Sequence, residues 1–469
     1  MHDFQANVHL DLALDGPGPL YARLARALRE AIRADQLPAG GQLPPSRVLA
    51  AELRCSRWVV TEAYAQLATA GYVDGRVGSG TRVRVLDTAR MPARAAVRQP
   101  AMRPEIDLAP GLPDLRTFPV TRWAAAIRSA AGAMSAGDFG YPDPAGHPAL
   151  RGLLGDYLAR ARGAHAGLAD VTVSGSATDG IGRICRALRQ AGCRAIAVED
   201  PSWHRIWAVA AAADLEVVPI PVDGQGIQAD RLGTGTGLGT EAGVGAVVVS
   251  PAHQFPMGAV LSPARRAVLL AWARRTGGLI IEDDYDAEFR YDGRPAGCLQ
   301  GTDPSHVALV GSVSKTLSPA LGIGWIVTPP SWTASVRPPQ AAAAPPPVLD
   351  QLAFAAFLRA GSYDRHLRAA RRRYRSRRDS LVRELAAQVP GARISGAAAG
   401  LHLVLELSDS VDAAAVRARA LDCGVRVANL DTYRLKHDGA RGLVLGYGNL
   451  ADHEADLAVR TLAAAIQPQ

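Results

Sequence analysis

Val307-Ala308-Leu309-Val310-Gly311-Ser312-Val313-Ser314-Lys315 is an apolar run that ends in a small-residue turn carrying two hydroxyls and a lysine. Such a run, bounded by small residues, reads as a buried parallel strand with the lysine at its carboxyl end. The lysine is informative because lysine is scarce here. Of 52 Lys+Arg residues, Lys315 and Lys436 are the two lysines, which leaves 50 arginines. Arginine supplies positive charge as well as lysine does, but only an amine sheds its proton readily and attacks a carbonyl. Lys315 is therefore a candidate for covalent chemistry, whereas Lys436, beside His437-Asp438-Gly439, reads as a loop residue.

On either side of this strand the same texture repeats. Short β-branched or apolar runs at Val171–Val173, Ala195–Val198, Leu215–Ile220, Ala246–Val249, Leu279–Ile281 and Trp325–Val327 alternate with alanine-rich helical stretches. Strands separated by helices predict a mostly parallel sheet, in which ligands gather at the carboxyl ends of the strands. Each of those ends carries chemistry. Ser174-Gly175-Ser176-Ala177-Thr178 opens a helix whose free amides suit a phosphate. Glu199-Asp200-Pro201-Ser202-Trp203-His204-Arg205 offers an aromatic face for a planar ring and an arginine for a carboxylate. Ser250-Pro251-Ala252-His253-Gln254-Phe255-Pro256 is a tight turn, with His253 as a further polar group. In Glu282-Asp283-Asp284-Tyr285-Asp286, the strand period of two puts Asp283 and Tyr285 on one face, Glu282 and Asp284 on the other. A lysine, a carboxylate, a phenol, an indole and a phosphate-sized helix mouth are the parts that hold pyridoxal phosphate.

The amino-terminal segment has a different pattern. Pro19 to Ile32 carries leucine and alanine at helical spacing; Pro44-Pro45-Ser46 starts a second helix over Arg47 to Leu53; Ser56 precedes a third over Arg57 to Ala70. The brief break between the second and third predicts a helix-turn-helix, with Arg57, Trp58 and Thr61 at the exposed end that enters a groove. Val60, Ala63, Tyr64 and Leu67 are its expected core face, and Gly71 to Val83 reads as two strands about a glycine-rich tip. Residues 86–105, rich in Ala, Arg and Pro, read as an extended linker. Near the other end, Pro329 to Pro347 predicts a crossing to a smaller α+β part. Arg365 to Arg378 predicts an amphipathic helix with Leu367, Ala370, Tyr374 and Leu381 inward.

The length of 469 residues predicts two or three domains, and the 48% hydrophobic, 20% charged composition a globular protein. There is no apolar run long enough to cross a bilayer and no export signal, so a soluble, cytoplasmic protein is expected. Five scattered cysteines without metal-ligand spacing are expected to be reduced and buried, and no metal site is predicted. A net charge of +8 permits contact with nucleic acid.

Two resemblances sharpen this. Leu43-Pro44-Pro45-Ser46-Arg47, Ser56-Arg57, Ala63-Tyr64, Gly71-Tyr72 and Gly78-Ser79-Gly80-Thr81 resemble the winged helix-turn-helix of GntR-type regulators over residues 10–85. The resemblance implies DNA contacts by Ser46, Arg47, Ser56, Arg57, Thr61, Arg76 and Ser79, with Trp58 standing where the family has a small or polar residue. Residues 106–469 resemble a fold-type I aminotransferase through Tyr141-Pro142-Asp143-Pro144, Glu199-Asp200-Pro201, His253-Gln254-Phe255-Pro256, the acidic run with Tyr285, and Ser314-Lys315-Thr316-Leu317. Together the two parts resemble a MocR-type regulator. The likeness implies that Lys315 is the Schiff-base lysine, that Asp283 pairs the ring nitrogen and Tyr285 the ring oxygen, and that Trp203 stacks. It also implies that Ser176, Ala177, Thr178 and Ser312, beside Ser314 and His253, surround the cofactor, and that Tyr141 reaches a neighbouring subunit's phosphate in a head-to-tail homodimer. Arg205 is implied for an effector carboxylate, and Arg441 is the candidate to replace the substrate-carboxylate arginine that relatives carry at the position of Val444. Two positions depart: Gly322 and Val444 stand where relatives carry arginines for the phosphate and the substrate carboxylate.

The function expected is promoter binding coupled to sensing of pyridoxal phosphate, alone or with a small amino compound, in control of vitamin B6 or amine metabolism. One alternative is a working aminotransferase with an accessory DNA-binding domain, which ordinary transamination rates without promoter binding would mark; the other, suggested by Gly322 and Val444, is a DNA-binding protein whose large domain is only a dimerisation scaffold.

Overall fold

The computed structural model describes residues 14–34, 36–76, 80–84, 104–233, 243–291, 297–337, 345–389, 391, 393–396, 398–436 and 439–467. The chain divides into two compact units, Met1–Ala101 and Met102–Gln469. Apart from 104 and 105, the predicted linker lies outside the described residues, as do the wing-tip residue Ser79 and part of the expected Pro/Ala-rich crossing.

In the first unit, α1 (Leu20–Arg33), α2 (Ser46–Glu52) and α3 (Arg57–Thr69) precede a hairpin of β1 (Val73–Arg76) and β2 (Gly80–Val83). Ser56 caps α3 by accepting the Val59 amide, which satisfies one orphan donor of the first turn. The α2–α3 turn passes through Arg54 at φ +51°. The buried residues of α3 are Val60, Ala63, Tyr64 and Leu67, the face expected from the spacing. They share one core with Leu24, Leu28, Leu49, Val73 and Val83.

The second unit begins with β3 (Ile106–Asp107), α4 (Val120–Ala133) and α5 (Pro148–Arg162), followed by β4 (Val171–Ser174), α6 (Ala177–Gln190), β5 (Ala195–Asp200), α7 (His204–Ala211), β6 (Glu216–Asp223) and β7 (Gly226–Ile227). Then come β8 (Val244–Val249), α8 (Pro263–Thr276), β9 (Leu279–Asp283), β10 (Val307–Ser312), β11 (Gly324–Val327), α9 (Pro330–Val336), α10 (Val348–Arg359) and α11 (Ser362–Gln388). The smaller part adds β12 (Arg393–Ser395), β13 (His402–Glu406), α12 (Ala413–Asp422), β14 (Val425–Arg426), β15 (Ala428–Asn429), β16 (Gly442–Gly446) and α13 (Ala455–Ile466).

The central sheet has the order β4-β11-β10-β9-β8-β5-β6-β7. The long strands are parallel except β11, which runs antiparallel to both β10 and β4. No crossover helix separates β10 from β11, only the Lys315 turn and a short 3-10 segment, and a chain that turns back without a crossover pairs antiparallel. Side chains alternate between two cores: Ile196, Val198, Val248 and Ile281 meet α6 and α7, while Ala197, Val247, Val249 and Ile280 meet α8. A second antiparallel sheet, β12-β13-β16-β15, forms the smaller part.

Two expectations need correction. Pro329 to Pro347 is not simply an extended crossing, since α9 occupies its start, with a proline in the first turn where no amide is needed. Not every cysteine is buried: Cys423 is exposed and Cys55 half-buried, both just past the carboxyl end of a helix. The smaller part also contains strands β12 and β15, too short to show a period. The expected inward face of α11, Leu367, Ala370, Tyr374 and Leu381, is buried. Among the described residues no helix is long and apolar enough to cross a membrane.

Candidate functional site

The carboxyl ends of β4, β5, β8, β9 and β10 bring the polar motifs together. Just past β10, the Lys315 side chain is half-buried; its Nζ donates to the Gly111 carbonyl at 2.6 Å and lies 5.6 Å from the centre of the Trp203 ring. The strap carrying Gly111 is held by β3 pairing with β14, by the Gly446 amide donating to Leu108 O at 2.7 Å, and by Tyr374 and Arg377 bonding Asp114. Gly111 has φ +108°, and a Cβ there would stand 3.0 Å from Lys315 Nζ, so the close approach requires glycine. Burial pushes the Lys315 amine below its ordinary range; Asp283 and Asp286 oppose this and Arg205 adds to it. A lowered pKa raises the fraction of neutral, nucleophilic amine at neutral pH.

Asp283 ends β9 on the face that carries Leu279 and Ile281. Its Oδ1 is buried and has no hydrogen-bond partner among the described residues. Burial, reinforced by the carboxylates of Asp284 and Asp286 and opposed by Lys315, pushes it up to about 7. Its neighbours on the opposite face are satisfied: Glu282 accepts the Leu299 and Gln300 amides at 3.0 Å each, and Asp284 is paired with buried Arg162 at 2.7 and 3.0 Å. A buried carboxylate oxygen left bare among satisfied ones marks a place where a ligand donor is wanted.

Tyr285 is held protonated by burial and by the carboxylates of Asp286 and Asp283. Its hydroxyl is 3.1 Å from Nδ1 of buried His253, which also bonds Asp286 Oδ2 at 2.9 Å. Behind it, His402 is kept neutral by burial, which lowers its pKa well below the usual range. Trp203 lies nearly parallel to Tyr433, with ring centres 5.9 Å apart, and edge-on to Phe255 at 5.3 Å. The segment carrying Tyr433 is fastened to the large part: Ser202 N donates to Tyr433 O, and Asp200 accepts the amides of Leu435 and Lys436.

At the start of α6, Ser176 Oγ caps the Asp179 amide, and the first-turn amides of Ala177 and Thr178 have no partner inside the helix. Gly322 faces the same loop, with a Cβ position 3.9 Å from Gly175 O. Ser312 is buried and its Oγ accepts the Ser314 amide at 3.4 Å. Val444 is fully buried among Phe255, Leu430 and Tyr433.

Some predicted residues are not brought into this cluster. Arg441 is exposed and bonds the Asp409 carbonyl at 3.1 Å, so it is no substitute for the arginine absent at Val444. Arg205 is exposed at the start of α7, near enough to bear on Lys315 electrostatically. Tyr141 is 97% exposed and contributes nothing to its own chain's cluster. Sequence reasoning missed Gly111, Tyr433, Asp286 and His402; the turn signal Pro110-Gly111 could have flagged the first, whereas nothing local marks Tyr433 or His402.

In the first unit, Ser46 at the start of α2 accepts from Arg57 Nε at 3.3 Å, which joins the amino-terminal ends of α2 and α3. Arg47, Ser56, Arg57 and Thr61 are exposed there, with Thr61 Oγ1 donating to Arg57 O. Trp58 is 62% exposed and edge-on to Tyr21. Arg76 lies on β1.

The fold and these two clusters define a helix-turn-helix module joined to an aminotransferase-like domain. Comparison with known proteins agrees. Residues 20–83 match the gntR family of bacterial regulatory proteins, and residues 103–439 match aminotransferase class I and II. The probable rhizopine catabolism regulatory protein MocR of Rhizobium meliloti is 30% identical over 94% of this chain and 92% of its own length. The pyridoxine biosynthesis regulator PdxR of Corynebacterium glutamicum is 29% identical over 94% of each. Among solved structures, an archaeal alanine:glyoxylate aminotransferase (TM-score 0.70, 22% identity, 77% of this chain and 90% of that one) and a Thermus thermophilus aspartate aminotransferase variant (0.68, 21%, 80% and 99%) share the fold of the large domain. The chain belongs to the MocR-type transcriptional regulators of the GntR family.

Proposed function

We propose that this regulator is a cytoplasmic homodimer that senses pyridoxal phosphate, alone or with a small amino compound, and converts occupancy of the Lys315 pocket into a change in promoter binding. The observation that carries the reading is the bare, buried Asp283 Oδ1, in the same pocket as an amine with lowered proton affinity. When bound, pyridoxal phosphate supplies an aldehyde for an amine and a ring that withdraws electrons. The residues present fit it. Lys315 offers the amine, Asp283 an acceptor for a protonated ring nitrogen, Tyr285 a phenolic donor, Trp203 an aromatic face, and Ser176, Ala177, Thr178 and Ser312 donors for a phosphate. His253 and Asp286 fix the position of the Tyr285 hydroxyl. Tyr141, exposed on its own chain, is free to serve the partner of a head-to-tail dimer.

Gly322 and Val444 bear on what is sensed. Neither replaces the cation that relatives place there, and Val444 is enclosed by apolar and aromatic groups, so the pocket is poorer in carboxylate-binding charge than an amino-acid transaminase requires. This favours sensing over turnover, and the likeness to a pyridoxine biosynthesis regulator and a rhizopine catabolism regulator supports vitamin B6 or amine metabolism as the regulated process. The test is a footprint on the DNA upstream of this chain's own gene, with and without pyridoxal phosphate, for wild type and Lys315→Ala. A cofactor-dependent change of footprint that the variant loses is expected. An identical footprint in all four arms would refute the sensing role.

A further inference from the structure

The outer surface of α11 takes no part in either site. Along this helix Leu367, Ala370, Tyr374, Arg377, Leu381 and Leu385 are buried on one side. At 3.6 residues per turn, the exposed Arg365, Arg368, Arg372 and Arg375 fall on the opposite side within an arc of about 80°, over a length of about 15 Å. Arg365 bonds the Ala360 carbonyl and Ser362 Oγ. Arg368, Arg372 and Arg375 have no hydrogen-bond or ion-pair partner among the described residues. The nearby acids are engaged: Asp364 pairs with Arg160, and Asp379, one turn past Arg375, pairs with Arg378.

Like charges three and four residues apart on a helix repel, so this row opposes helix stability unless counter-charge is supplied. A duplex supplies it, since its two strands carry one phosphate charge per about 1.7 Å of helix axis, dense enough to meet several guanidinium groups along a stripe of about 15 Å. DNA is also close at hand. Residues 84 and 104 are joined by twenty peptide bonds, which at full extension reach about 70 Å, so a duplex held by the first unit is presented to the second at high effective concentration. We infer that the Arg365–Arg375 face of α11 is a second, sequence-independent DNA contact, made by the aminotransferase-like domain to the phosphate backbone. Phosphate contacts fix register rather than sequence, so this face would orient the sensing domain on the promoter while base readout stays with α3.

The test uses the full chain and a random-sequence duplex of about 60 base pairs, titrated by fluorescence anisotropy over a range of KCl concentrations. The variant carries Arg368→Ala, Arg372→Ala and Arg375→Ala; a companion carries lysine at the same three positions. The alanine variant is expected to lower the slope of log K against log salt by about 2 to 3, near 0.9 for each phosphate no longer neutralised, while the lysine variant keeps it. The same decrement should persist in an Arg47→Ala, Arg57→Ala background, which separates this face from the helix-turn-helix. A wild-type slope in an alanine variant that unfolds at the wild-type temperature would overturn the proposal. So would loss of binding to phosphatidylserine vesicles with the DNA slope unchanged, which would make the partner a lipid surface.

Discussion

Asp283→Asn isolates what the pocket does with its bare carboxylate. Asparagine has nearly the same volume, so no cavity opens, and the change removes charge and little else. In wild type the carboxyl is pushed up to about 7 by burial and by Asp284 and Asp286, so at pH 8 most of it is ionised. Its buried Oδ1 has no hydrogen-bond partner among the described residues. A protonated ring nitrogen placed there would make one charge-assisted hydrogen bond, worth about 1.5 to 3 kcal/mol. At about 1.4 kcal/mol per decade, its loss predicts a weakening of pyridoxal phosphate binding by about 10- to 150-fold. The assay is a titration followed by visible absorbance at pH 8, beside equilibrium dialysis to count sites. The neutral side chain should also relieve repulsion with Asp284 and Asp286, so the free variant should unfold at or above the wild-type temperature. Binding within twofold of wild type, in a variant that is folded, would refute the assignment of Asp283 to the ring nitrogen.

Two further outcomes follow from the same geometry. Gly111→Ala puts a Cβ 3.0 Å from Lys315 Nζ at φ +108°, a conformation that costs a non-glycine residue on the order of 1 to 3 kcal/mol. Slower trapping of Lys315 by pyridoxal phosphate and borohydride, with the fold intact by circular dichroism, is expected. Glu199 is buried, accepts from the Ser250 amide and Gln254, and is pushed up to about 8 by burial. Because its folded pKa lies above the unfolded value near 4.5, its contribution to stability is complete below that value and is lost as pH rises through about 8. Thermal unfolding of wild type should therefore lose ground between pH 5 and 8 more steeply than that of Glu199→Gln, each tenfold difference in proton affinity being worth about 1.4 kcal/mol.

The sequence by itself determined the features that depend on neighbours along the chain. The helical period exposed the core face of α3 and the inward row of α11, and the strand period separated Asp283 from Glu282 and Asp284. The rarity of lysine singled out Lys315, and chemical residues at successive strand ends implied one pocket because a parallel sheet collects its strand ends on one edge. Tertiary structure alone decided the order β4-β11-β10-β9-β8-β5, the reversal of β11, and the partners that meet across long separations. Gly111 lies 204 residues from the lysine it accepts from, and Arg162 lies 122 residues from the Asp284 it neutralises. It also placed Arg441 on the surface and brought Tyr433 against Trp203. Periodicity is a property of a few adjacent residues, whereas these pairings are selected by the burial that distant segments achieve together, and no local pattern encodes which distant segment that will be.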